Sequence, residues 1–111
     1  MTTPPLTREQ ILAMPAGYKL DTLIEQHVFG RTVVWSEDYS TDIRMAWQVV
    51  EKIARQGTLL SIAVGPYGDQ GVKTSVMFFG MDDGVVEDSA PLAICRAALL
   101  AQLWQQENFP P

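Results

Sequence analysis

One cysteine, one histidine and no long apolar run set the first limits on this chain of 111 residues. Cys95 has no second cysteine with which to close an intramolecular disulfide, so oxidation does not staple the fold. His27 stands alone, without the partners that a zinc site or a catalytic triad requires. The longest nearly apolar stretch, Pro91 to Ala101, is about half the length of a membrane span and is interrupted by Arg96, so no transmembrane helix is expected. Met1-Thr2-Thr3-Pro4-Pro5 lacks the positive start and apolar stretch of a secretory leader, and a cytoplasmic location follows as the expectation. Basic residues are scarce: 8 Lys and Arg face 13 Asp and Glu, a net charge of −5. Such a balance excludes a duplex nucleic-acid binder, whose affinity comes from displacing counterions with a basic surface. There is no internal repeat and no low-complexity tract.

What is present is the composition of a folded protein. A hydrophobic share of 47% with 19% charged residues is too apolar for disorder. The length suits one domain, residues 1–111, with 1–6 and 108–111 as loose tails. Thr7-Arg8-Glu9-Gln10 reads as a capping box that opens a short helix. Pro15 suits a first turn better than a helix interior, so the helix restarts near it. Leu20, Leu23, Ile24, His27 and Val28 then recur at spacings of three and four, one buried face that ends at Gly30.

Thr32-Val33-Val34-Trp35 is β-branched and aromatic, hence a short strand, closed by Ser36-Glu37-Asp38. Ser40 is placed to cap the next helix, with Ile43, Ala46, Trp47, Val50, Ile53 and Ala54 as its inner stripe and Glu51 with Arg55 as an outward pair. Beyond Gly57, Thr58 to Val64 alternates with Leu60, Ile62 and Val64 on one face, and Val72 to Gly80 alternates likewise. The turn formers between them, Gly65 to Gly71, make these two strands a hairpin. Asp82-Asp83-Gly84 turns the chain into a third, edge strand at Val85-Val86-Glu87. Asp88 or Ser89 caps the last helix, which is apolar at nearly every azimuth apart from Arg96, Gln102 and Gln105. Its own sheet or another subunit must bury it, and in a chain of 12.3 kDa the expectation is a homo-oligomer whose recognition cleft lies between subunits.

Tyr39-Ser40-Thr41-Asp42-Ile43 with Ala46 to Ile53, and then Ala90-Pro91-Leu92-Ala93-Ile94-Cys95-Arg96-Ala97-Ala98-Leu99-Leu100-Ala101, resemble the phage ABA sandwich domain family. Leu6 to Met14, Ala16-Gly17 and Leu20-Asp21 are similar to that family's opening. The resemblance implies an α+β fold, a small antiparallel sheet of three to four strands with helices packed on both faces. It carries no assigned catalytic residues. Its members often have a longer aromatic-rich insertion after the first strand, where here only Ser36-Glu37-Asp38 separates Trp35 from Tyr39.

Several residue sets invite chemistry. His27, beside Ile24 and Val28, reads as a packed core or interface histidine, and Cys95 as a small hydrophobe inside its helix. The acidic pairs Glu37-Asp38, Asp82-Asp83 and Glu87-Asp88 fall at turns and caps, where neighbouring carboxylates point apart. The glycine-rich Gly65 to Gly71 lacks the Lys-Ser/Thr ending of a phosphate-binding loop. The polar-aromatic set Arg31, Trp35, Tyr39, Arg44, Tyr67 and Lys73 has the rings to stack a base and the cations to neutralise phosphate, which makes it the candidate ligand site, with core or interface packing as the competing reading of Trp35 and Tyr39. No catalytic residues, metal or cofactor are expected.

Two functions compete. One is a non-enzymatic, phage-encoded binding protein, a sponge for a nucleotide-derived second messenger of bacterial immunity of the Thoeris or CBASS type. The other is an interaction or structural module that docks its apolar C-terminal helix on a host or phage protein.

Overall fold

A computed structural model describes residues 6–32, 35–78 and 84–108. Its elements run α1 (Arg8–Ala13), α2 (Tyr18–His27), α3 (Ile43–Arg55), β1 (Leu60–Pro66), β2 (Val72–Phe78), β3 (Val85–Glu87) and α4 (Ala90–Asn108), with a 3-10 turn at Gly68–Gln70 inside the hairpin. Among the described residues, four helices and a three-stranded antiparallel sheet in the order β1-β2-β3 make the α+β architecture that the sequence indicated.

The capping box closes as expected: the Gln10 amide donates to Thr7 Oγ1 at 3.1 Å and the Thr7 amide to Gln10 Oε1 at 2.9 Å. The second helix does not restart at Pro15. It begins at Tyr18, after Gly17, whose φ of 143° is backbone that L side chains rarely adopt. Val33 and Val34 of the expected first strand lie outside the described residues, and so do Asp82 and Asp83 of the expected turn. Thr32 and Trp35 belong to no strand, and the Trp35 side chain is exposed.

In the sheet, Leu60 faces Phe78, Ile62 faces Val76 and Val64 faces Thr74, the alternation read from sequence. Opposed residues share a face, and on β2 this face is covered: Thr74, Val76 and Phe78 are buried, as is Val85 of β3. On the other face Ser61, Ala63 and Met77 are exposed. β1 is an edge strand with solvent on both sides over most of its length, and Val64 is 65% exposed.

α4 is the centre. It packs on α1, α2, α3, β2 and β3, and every residue from Ala93 to Ala101 is buried. That overturns the premise that a second subunit must shelter this helix. Its all-round apolarity is met within one chain, because three helices and two strands surround it. Each fully buried Leu or Ile contributes about 1.5–3 kcal/mol, so this helix anchors the core.

α3 sits rotated from its expected azimuth. Ala46, Val49 and Ile53 face inward, while Ile43 and Trp47 are exposed and Val50 lies at the margin. Its cap is Asp42, not Ser40: the Arg44 amide donates to Asp42 Oδ1 at 2.9 Å. That bond, a second from the Arg44 guanidinium to Asp42 Oδ2 at 3.5 Å and the Arg44 charge hold the Asp42 carboxyl below the usual carboxylate range. No helix among the described residues is long and apolar enough to cross a membrane.

Candidate functional site

The strongest polar cluster involves two carboxylates on one face of α2, Asp21 and Glu25, both buried. Residues four apart on a helix lie one above the other, so the two meet the same passing segment. That segment is Tyr39-Ser40, also buried. The Ser40 amide and hydroxyl both donate to Asp21 Oδ1, at 2.8 and 2.6 Å, and the Gly17 amide donates to Ser40 Oγ at 2.8 Å. One turn along, the Tyr39 hydroxyl donates to Glu25 Oε1, and Arg31 Nε lies 3.2 Å from Glu25 Oε2. Phe29 stacks on Tyr39 with ring centroids 5.3 Å apart, and the Arg31 guanidinium lies 4.8 Å from the Phe29 centroid.

This arrangement is a latch. A serine touching a carboxylate suggests a nucleophile and its base, but the Ser40 hydroxyl is fully buried and already occupied as donor and acceptor. Its effect is to fix the connection from α2 to α3. Burial, the hydrogen bond to Glu25 and the Glu25 charge push the Tyr39 phenol pKa upward.

A second buried polar centre lies at the C-terminal end of α1. Arg96 of α4 donates from Nε and Nη2 to the Met14 carbonyl, at 3.0 and 2.6 Å, and pairs through Nη1 with Glu87. Cys95, next to it in sequence, is buried, and burial together with the nearby Asp21 charge pushes its thiol pKa up.

Of the six residues read as a ligand site, the structure brings Arg31 and Tyr39 together through Glu25 and Phe29. Tyr39 is core, with no ring face open to solvent. Arg44 is exposed and pairs with its own cap residue Asp42 at 3.5 Å, while Lys73 pairs with Asp88 at 2.6 Å. Trp35 and Tyr67 present exposed rings, at 69% and 48%. His27 is exposed, not in the core. It lines a groove with Leu6, Ile11, Leu99, Gln102, Leu103 and Gln106, whose volume of about 60 Å³ is small against the several hundred Å³ of a drug-sized ligand pocket.

Glu25 was not singled out from sequence, Asp21 was named only within the family's opening, and Ser40 was assigned to capping α3. Their signal is faint: two acids at i,i+4 flanking the apolar Leu20 and Ile24, with a serine in the segment that follows.

The description "Phage ABA sandwich domain" matches residues 9–99. The chain belongs to that family. A phage protein from Bacillus cereus ATCC 14579, solved as a 2.0 Å crystal structure, is 26% identical, with 78% of this chain and 91% of that one aligned at a TM-score of 0.62. No curated protein matches. As a phage ABA sandwich protein the chain thus has a solved relative of the same fold, and the latch, the Arg96 centre and the exposed side chains are what it offers for interpretation.

Proposed function

We propose that this phage ABA sandwich protein is a non-catalytic interaction module, docking on a protein of the host or the phage. The observation that supports the reading is the outer stripe of α3, where Ile43 and Trp47, one turn apart, are 50% and 52% exposed. Large exposed apolar side chains set next to one another mark interaction surfaces, and tryptophan is among the residues that dominate binding energy. The docking face is α3 in this reading. α4 is enclosed and offers no such face.

The test is a photo-crosslinking residue at position 47 in infected host cells, followed by purification of the captured protein. Trp47→Glu, folded as judged by its thermal melt, is expected to bind that protein at least ten-fold more weakly. Unchanged affinity would count against the reading.

A second reading keeps the sponge for a nucleotide-derived second messenger. It is supported by Arg31, whose side chain is 58% exposed above the Phe29 ring, near the exposed Trp35 in sequence. Cyclic dinucleotides and ADP-ribose derivatives would then raise the melting temperature, because a ligand that binds only the native state stabilises it by mass action. Arg31→Ala would abolish the rise.

A further inference from the structure

Among the described residues, none pairs with the outer side of the β1 backbone. In the hairpin the Tyr67 amide donates to the Gly71 carbonyl at 2.8 Å, and the register runs unbroken from Pro66↔Val72 to Leu60↔Phe78. Antiparallel strands alternate the direction of their hydrogen-bonding groups, so Ser61, Ala63 and Gly65, in phase with Tyr67, turn theirs toward β2. Leu60, Ile62 and Val64 therefore turn theirs outward, and no described residue pairs with them.

The open edge is bounded at both ends. Pro66 is in phase with the outward set and has no N–H to offer. At the other end β1 begins at Leu60, and the N–H of Thr58, two residues earlier, is spent on the Ile53 carbonyl at 3.3 Å. Thr58 and Pro66 lie equally far from Ile62, so the free donors are symmetric about that residue. No residue from Gln56 to Gly68 is charged, in a chain of net charge −5.

We infer that β1 pairs antiparallel with β1 of a second copy, about a two-fold axis at Ile62. Ile62 exchanges both backbone bonds with its counterpart, and Leu60 does so with Val64 of the other copy. Each Thr58 meets a Pro66, the one contact where neither side has a donor to leave unpaired. Leu60, Ile62 and Val64 of both copies then form one apolar strip on the face shared with Val76, while Ser61 lies opposite Ala63. The strand carries no charge, so its union with itself brings no like charges together, and the pairing removes an edge that would otherwise template aggregation. This surface is separate from the α3 stripe, so self-association and partner docking stand or fall independently.

Sedimentation at tens of micromolar is expected to give twice the 12.3 kDa chain mass. Val64→Lys, at an exposed position, should return it to one chain mass with its thermal melt still cooperative. Register is tested by mixing Ser61→Cys and Ala63→Cys proteins under mild oxidation. The disulfide is expected between unlike variants and not within either variant alone. A wild-type monomer would overturn the inference, the edge then being covered from within the chain or left bare. A dimer that survives Val64→Lys, or one that cross-links like with like, would overturn it as well.

Discussion

Tyr39, which the sequence left between ligand contact and packing, is part of the interior. Its ring stacks on Phe29 and its hydroxyl is held by Glu25, so ionising it would place a second negative charge in a buried site. The folded-state pKa is raised above the ordinary tyrosine value of about 10. The contribution to stability is therefore full below about pH 10 and is lost as pH climbs above it, since the unfolded chain releases that proton more readily. Alkaline titration followed by phenolate absorbance should show one tyrosine ionising only as the fold is lost. Tyr39→Phe should remove part of the alkaline loss of stability, and an unchanged alkaline midpoint would contradict this account. Sequence reading found the Thr7 and Gln10 capping box because both partners lie within one turn. It overlooked Asp21 and Glu25 because an acid on a helix reads as solvated until a partner from a distant segment is known. Ser40 is nineteen positions from Asp21, and no local pattern connects them.

At the scale of elements, hydrophobic periodicity recovered the helices and the hairpin but not how each helix is turned. α3 holds enough apolar residues for two stripes, and the choice between them lies in its neighbour. α3 packs on α4, a helix whose buried residues include Ala93, Ala97, Ala98 and Ala101, and the small Ala46 and the Val49 of α3 suit a close approach better than Trp47. The hairpin was legible because Gly65 to Gly71 concentrates turn formers between two period-two segments. Arg96 joins α1, β3 and α4 through Met14 and Glu87, and its replacement leaves a carbonyl and a carboxylate without their donor. Arg96→Met is expected to cost about 3–5 kcal/mol, the range for breaking a buried pair. Glu87→Gln should cost less, because the Met14 bonds survive; urea denaturation of both variants measures the difference. Equal costs would show that the Met14 contacts contribute nothing.

For the whole molecule, Cys95 is a built-in reporter. Its thiol is buried and its pKa raised, so iodoacetamide has neither access nor a thiolate to attack while the native state persists. Labelling in increasing urea is expected to follow the tryptophan fluorescence transition. Modification well before it would mean that α4 opens on its own. The exposed edge of β1 was legible only in part: its alternation was plain, yet edge position depends on strand order, which a single sequence does not state.

The central place of α4 also has a consequence for synthesis. α1, α2 and α3 all pack against a helix that is made after them, and the Met14 carbonyl waits for an arginine 82 positions downstream. At roughly 5–20 residues per second, the early helices spend several seconds without the surface they require. The early helices are thus natural clients of chaperones until α4 has been made.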